Sequence, residues 1–262
     1  MPIIQFSHAN GFPAKTYSVL FSHLQEYEIS AINVLAEKVK SDSICWLDMV
    51  EELLENVSQA REPVVGVGHS LGAILTLLAA AKRPELFKSV ILLDPPLFST
   101  YKRLLIGVFR ALKLENLISP SGKSAKRRDV FTSKEQALRY FQANRFFVNF
   151  HPNSLKDYVE NGLITTAKGV ELLISKDKEV AIFHKLLLTY PDKIKSVVGT
   201  CVYAVNNPII WNSDLKWINY YIPKMEIIPF PGTHFFPLEY PLASAKLIGR
   251  IINALKLNTK QL

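Results

Sequence analysis

Ser70 lies at the centre of Gly68-His69-Ser70-Leu71-Gly72, a pentapeptide between an apolar run, Pro63 to Val67, and an apolar stretch of helical length, Leu71 to Ala81. The context reads strand, sharp turn, helix, and it suits a nucleophile. A chain that reverses from strand to helix within one residue strains the backbone at Ser70, and small residues two before and two after let the neighbouring elements approach. The Ser70 hydroxyl then stands exposed at the sheet edge. The helix that begins beside it offers free backbone N–H groups and a positive dipole end, so the Leu71 amide is placed to stabilise an oxyanion. An ordinary Gly-rich turn would account for the five letters but not for the flanking strand and helix.

Two further segments could serve the same chemistry. Near the N-terminus, Ile3 to Ser7 reads as a short strand running into His8-Ala9-Asn10-Gly11-Phe12-Pro13. Attack on a carbonyl needs a second oxyanion N–H from a tightly turned loop, which Gly11 and Pro13 favour. Near the C-terminus, Met225 to Pro229 reads as a strand that leads through Pro231-Gly232-Thr233 to His234, a candidate general base. Pro237 can open a final helix with Leu242, Ala245, Ile248, Ile251 and Ile252 on its apolar face.

This order of motifs, an H-A-N-G-F-P loop, a G-H-S-L-G elbow and a late G-T-H-F-F-P-L-E-x-P segment, looks like the α/β-hydrolase superfamily. More narrowly, it is similar to capped bacterial esterase and epoxide-hydrolase-like members whose oxyanion loop reads H-A-N-G-F-P or H-A-T-G-F. The resemblance implies an α/β fold: a mostly parallel sheet with helices on both faces and an inserted helical cap. Family members usually begin with two extra antiparallel strands, whereas this sequence starts almost directly at the third, so the first N-terminal strands are expected to be reduced. The second oxyanion amide belongs to Asn10 if the loop is aligned on its histidine and to Phe12 if aligned on Gly11. His8 is expected to stabilise the loop turn, and His69 to pack beside the strand without touching the chemistry.

A serine needs a base, and the base needs a carboxylate to hold its tautomer. The superfamily usually supplies that acid after the seventh strand, where this chain reads Ala204-Val205-Asn206-Asn207-Pro208. The expected carboxylate is an amide at Asn207. Asp94, after Leu92-Leu93 and before Pro95-Pro96, should emerge at the same sheet edge, and the order Ser70, Asp94, His234 fits the superfamily. Capping the turn that follows is the competing role for Asp94, and Asp214 is a distant third candidate for the acid.

The elements that must position these groups alternate. Tyr17 to Leu24 reads as a short helix and Glu28 to Val34 as a strand. Trp46, Met49, Val50, Leu53, Leu54 and Val57 recur at helical spacing, with acidic residues opposite, and Lys88 to Leu93 forms an apolar strand. From Leu97 to about Pro191 the alternation lapses and helices dominate. Leu104, Leu105, Val108, Phe109 and Leu112 form one amphipathic stripe there, Thr132 to Glu135 carries a capping-box signature, and further helices are expected at Pro152 to Asn161 and Glu179 to Leu188. The expected division is a core of residues 1–96 and 192–262 and a helical cap of residues 97–191. Most of the cap aromatics, Tyr140, Phe141, Phe146, Phe147, Phe150 and Tyr158, should pack it onto the core, and a minority should line an apolar cleft. The core resumes with a strand at Ser196 to Val205 and a helix at Asp214 to Tyr221.

Composition narrows the class. At 262 residues, 48% hydrophobic and 21% charged, the chain has an ordinary globular makeup. Its 31 basic residues against 23 acidic give a net charge of +8, which favours anionic substrates or surfaces; with no recognition motif it gives no case for nucleic acid. Lys123 to Arg128 fits a solvated loop better than a phosphate or membrane contact. Cys45 and Cys201 suit neither a metal site nor a redox pair, and both read as buried thiols. No run reaches the roughly 18 apolar residues of a bilayer span and no signal-peptide pattern opens the chain, so a cytoplasmic protein without stable membrane insertion is expected.

These readings converge on a serine hydrolase of carboxylesterase type, acting through an acyl-enzyme on a small ester or related acyl compound, with no metal or organic cofactor implied. Ser70, His234 and Asp94 are the candidate catalytic residues, and Leu71 with Asn10 or Phe12 the oxyanion hole. Epoxide opening and dehalogenation by the fold's usual route need a carboxylate where Ser70 stands. The rival reading is a catalytically weak ligand-binding or signalling protein on the same scaffold, favoured by Asn207. Oligomeric state leaves no mark in the sequence.

Overall fold

The computed structural model describes residues 1–114, 119–206 and 209–258. In chain order the first part runs β1 (Ile3–Ser7), α1 (Ser18–Ser22), β2 (Glu28–Ala31), α2 (Trp46–Ser58), β3 (Val64–His69), α3 (Leu71–Lys82) and β4 (Phe87–Leu93). An inserted stretch follows with α4 (Thr100–Ala111), α5 (Ser121–Lys126), β5 (Val130–Phe131), α6 (Lys134–Gln142), α7 (Pro152–Asn161), β6 (Leu163–Thr166), β7 (Gly169–Leu172) and α8 (Lys176–His184). The alternation then resumes as β8 (Gly199–Ala204), α9 (Asn212–Tyr221), β9 (Met225–Phe230), α10 (Phe236–Glu239) and α11 (Pro241–Asn258).

Six strands form one sheet in the order β2-β1-β3-β4-β8-β9, and every neighbouring pair is parallel. Parallel strands need crossovers, so helices cover both faces and the central strands are apolar throughout. Side chains alternate between two cores: Phe6, Val67 and Ile91 point to one, while Ile3, Val90, Leu92 and Cys201 point to the other. Helix α3 is apolar all round and buried from Leu71 to Ala81, as a helix enclosed by other elements must be. Helix α2 shows the opposite economy: Trp46, Met49, Val50, Leu53, Leu54 and Val57 are buried and the acidic face is left to solvent.

The strand order reverses between β1 and β3, so the loops leaving their carboxyl ends diverge and leave a crevice there. Those two loops carry His8 to Pro13 and Ser70.

The inserted stretch departs from the helical reading in two ways. β5, β7 and β6 form a small antiparallel sheet, with Leu163 opposite Leu172 and Thr166 opposite Gly169. The β-branched run Ile164-Thr165-Thr166 and Gly169, whose φ is +121°, are the local signals that build this hairpin. Helix α4 forms, but Leu104, Leu105, Val108 and Leu112 of its apolar stripe face outward, and Phe109 is half-buried. The cap of α6 falls one residue later than the signature suggests: the Ser133 hydroxyl accepts the Gln136 N–H at 3.2 Å, and the Gln136 side chain accepts the Thr132 N–H at 2.9 Å.

Smaller corrections concern the ends of elements and the two thiols. Lys123 to Arg128 is largely the short helix α5 rather than a loop. The last helix begins at Pro241, with Leu242 exposed while Ala245, Ile248 and Ile252 are buried. Cys201 is buried, whereas Cys45 precedes α2 and is half-buried because it flanks the helix instead of facing inward from it.

Candidate active site

Four strand ends supply the polar groups of the site, beginning with β3. Between β3 and α3, Ser70 adopts φ +54° and ψ −116°, a region that L-residues avoid, and its N–H is held by the Leu93 carbonyl of β4 at 2.9 Å. Any Cβ at position 72 would lie 2.1 Å from the Ser7 carbonyl oxygen, so glycine is required for α3 to start beside the end of β1. As the first residue of α3, Leu71 has an N–H with no intrahelical acceptor.

The end of β4 supplies Asp94. It too lies at positive φ, +43°, and it is fully buried. Its N–H donates to Val202 and its Oδ1 accepts the Ala204 N–H at 2.9 Å, which pins the carboxylate against the end of β8. From there Oδ2 reaches the loop after β9: His234 Nδ1 lies 2.6 Å away, and His234 Nε2 lies 2.9 Å from Ser70 Oγ. Hydroxyl, imidazole and carboxylate, spread over 164 positions of sequence, form one hydrogen-bonded chain.

The loop His8 to Pro13, the candidate oxyanion loop, follows β1. The Phe12 N–H closes a turn onto the Ala9 carbonyl at 3.0 Å, with Gly11 at φ +80° inside it. That bond engages the Phe12 amide. The Asn10 N–H has no backbone or side-chain acceptor among the described residues. The Asn10 side chain instead donates to the Glu179 carbonyl of α8 at 2.9 Å, tying the loop to the inserted stretch.

Two histidines that do not touch Ser70 organise its surroundings. His8 accepts the Leu35 N–H at Nε2 and donates from Nδ1 to the Ala9 carbonyl, and burial pushes its pKa down to about 4, so it works as a neutral brace of the loop. His69 is fully buried, and burial with the nearby His234 holds its pKa well below the usual imidazole value. Its Nε2 donates to the His234 carbonyl at 2.8 Å, and its Nδ1 accepts the Tyr17 hydroxyl at 2.7 Å. Tyr17 in turn accepts the Ala9 N–H at 3.3 Å. Beyond the expected packing beside the strand, His69 connects the loop after β1 to the backbone of His234. Tyr17 was missed in the sequence, where its spacing marks only a helix.

Apolar groups close the site above. Phe12 packs against Tyr158 and Phe235, with ring centroids 4.9 Å apart in each case, and Phe146 meets Phe235 at 4.8 Å. Phe141, Phe147, Phe150 and Tyr158 are buried in this cluster, whereas Phe146 stays half in solvent at its rim. Asp214 is not part of the site. Its carboxylate accepts the Ser99 and Trp211 N–H groups and pairs with Lys102, so it joins α4 to α9. Asn207 lies outside the described residues.

The model of the alpha/beta hydrolase family matches residues 21–243. The chain belongs to the alpha/beta hydrolase family. Among curated proteins, this family member is 28% identical over 158 residues to a type I acyl-CoA thioesterase of Penicillium brevicompactum, a match covering 53% of this chain and 34% of that protein. The chain thus spans about a third of the length of such relatives. Among solved structures, the hydrolase fold is shared with an E-2-(acetamidomethylene)succinate hydrolase (TM-score 0.75, 18% identity, 96% of this chain and 91% of that one). A thioesterase domain from the curacin biosynthetic pathway is alike (TM-score 0.73, 17% identity, 94% and 90%).

Proposed function

We propose that this alpha/beta hydrolase is a serine esterase that cleaves a small ester or related acyl compound through an acyl-enzyme. The observation that carries the reading is the unbroken chain Ser70 Oγ, His234, Asp94, with both links at hydrogen-bond length. The Asp94 carboxylate accepts a hydrogen bond from His234 Nδ1–H, which holds the tautomer whose Nε2 is free to take the Ser70 proton as the hydroxyl attacks the substrate carbonyl. Charge then develops on the carbonyl oxygen, where the Leu71 and Asn10 N–H groups stabilise it. The imidazolium returns its proton to the leaving group, and the acyl group stays on Ser70. A water deprotonated by His234 attacks the acyl-enzyme and restores the hydroxyl.

In this reading residues 97–191 act as a lid over the core of residues 1–96 and 192–262. The aromatic cluster joining Phe146, Phe147 and Phe150 to Phe12 and Phe235 supports it, and so does its apolar character, which favours an acyl or aryl group over a charged one. A thioester is a further acyl substrate in keeping with the relatives. The rival reading of a binding protein without turnover rested on the amide of Asn207 at the usual acid position, and the Asp94 carboxylate hydrogen-bonded to His234 weighs against it.

A fluorophosphonate probe tests the proposal directly. Wild type should label promptly and Ser70→Ala not at all, and wild type should turn over p-nitrophenyl butyrate or a short acyl-CoA thioester. Labelling of Ser70→Ala equal to wild type, or no turnover across a panel of both ester kinds, would overturn it.

A further inference from the structure

The sequence pattern of α4 is that of a helix with one buried face, yet the structure turns that face outward. Tyr101, Leu104, Leu105, Val108 and Leu112 fall within an arc of about 100° on a helical projection. Their exposure runs from 42% at Leu105 to 77% at Tyr101. Basic side chains hold the inward face instead. The Lys102 ammonium pairs with buried Asp214, donates to the Ile209 carbonyl and lies over the Phe98 ring. Arg103, itself buried, donates to the Leu188 carbonyl and lies over Tyr190, and Arg110 donates to the Leu186 carbonyl. The helix is anchored by its cations and offers its leucines to whatever lies outside. Such a contiguous apolar stripe implies a partner.

Charge selects that partner. Between Ser99 and Arg128 the sequence has eight Lys or Arg residues against a single acidic one, Glu115; Lys102, Arg103 and Arg110 turn inward and Arg127 pairs with Glu179, which leaves Lys113, Lys126 and Arg128 exposed within a chain of net charge +8. A second copy would carry the same positive charge and resist close approach, whereas an anionic surface with an apolar interior satisfies both features. No helix among the described residues is long and apolar enough to cross a membrane. Contact by lying on the surface needs no such helix.

We propose that α4 docks the protein reversibly on an anionic lipid bilayer, with the Tyr101 to Leu112 stripe in the acyl region and the flanking lysines at the headgroups. An apolar face combined with basic residues supplies two modest attractions that together hold a peripheral protein and that salt weakens.

Flotation of the full chain with vesicles tests this, using the Ser70→Ala variant so that hydrolysis plays no part. Binding to phosphatidylcholine vesicles containing a third phosphatidylserine should exceed binding to pure phosphatidylcholine by about tenfold or more. It should fall by a similar factor in 0.5 M salt, and Leu104→Gln with Val108→Gln should abolish it. Both side chains are exposed, so the double variant should keep the wild-type melting temperature. Equal binding to both vesicle types, no binding to either, or binding that survives the double variant would overturn the proposal. So would a stable dimer that the double variant dissociates, because a second copy would then be the occupant. Esterase turnover on soluble substrates is read separately, so failure of docking leaves the proposed chemistry standing, and the reverse.

Discussion

Helices α2 and α4 carry the same kind of amphipathic pattern and bury opposite faces. In α2 the six apolar positions from Trp46 to Val57 pack under the sheet and contribute about 1.5–3 kcal/mol for each large side chain fully buried. In α4 the equivalent stripe is in water, and Lys102, Arg103 and Arg110 make the inward contacts. Periodicity therefore identifies a helix and its two faces but not which face turns in. Tertiary partners decide that, here Asp214, Leu188 and Leu186. A similar contrast separates core from insertion as a whole. The core holds polar groups at strand ends with backbone bonds, and the insertion meets the site through aromatic rings and the Asn10 to Glu179 link.

The sharpest way to break the contrast is at the core's most constrained group. Asp94→Asn leaves the Ala204 N–H an acceptor oxygen but cannot stabilise the imidazolium, so kcat should fall by roughly 10²–10⁴ with little change in melting temperature. Full activity would show that the acid comes from elsewhere. The two helices give the next test. Leu53→Ala in α2 removes a side chain with no solvent exposure and should cost about 2–5 kcal/mol by urea unfolding, whereas Leu104→Ala in α4 should stay within about 0.5 kcal/mol. Equal costs would mean that the α4 stripe is packed in solution.

How far the sequence reaches follows from the same physics. The elbow was legible because its signal is local: strand, strained serine and apolar helix lie within about twenty residues, and Gly72 marks the close approach to β1. The parallel sheet was legible because strands buried on both faces are apolar without alternation. The small sheet of the insertion was hidden because β5 is only two residues long and the run Leu163 to Leu172 sits between stronger helical signals. Asp94 was one of several possible carboxylates, and only the pairing of β4 with β8 shows that it crosses the end of one strand to reach His234. The structural part of His69 was out of reach, since its partners lie 52 and 165 positions away.

The core braces predict a pH dependence of stability. His8 titrates near pH 4 when folded, against an ordinary value of 6.5, because burial penalises its charged form. Between those values the unfolded chain holds a proton that the folded chain excludes, so stability is full above pH 6.5 and declines as pH falls towards 4. At pH 5 the loss from this one group is about 2 kcal/mol, equivalent to a melting temperature lower by roughly 4–8 °C. His69 shifts in the same direction. A His8→Gln variant should lose less on going from pH 7 to pH 5 than wild type does, by scanning calorimetry; an identical loss would remove His8 from the account.

The smallest expected effect separates positioning from mere packing. Tyr17→Phe keeps the ring against Phe6 but removes the hydroxyl between the Ala9 N–H and His69 Nδ1. Two buried polar groups lose a partner, at a cost of about 1–3 kcal/mol in stability. If the hydroxyl only fills space, turnover should match wild type once the protein is folded. If the Ala9, Tyr17, His69, His234 series aligns the oxyanion loop with the base, kcat should fall by roughly three- to tenfold while KM stays near wild type, because the misalignment is felt as charge develops and not as substrate binds. A kcat within error of wild type would reduce His69 and Tyr17 to packing and leave the strand ends alone as the device that fixes His234.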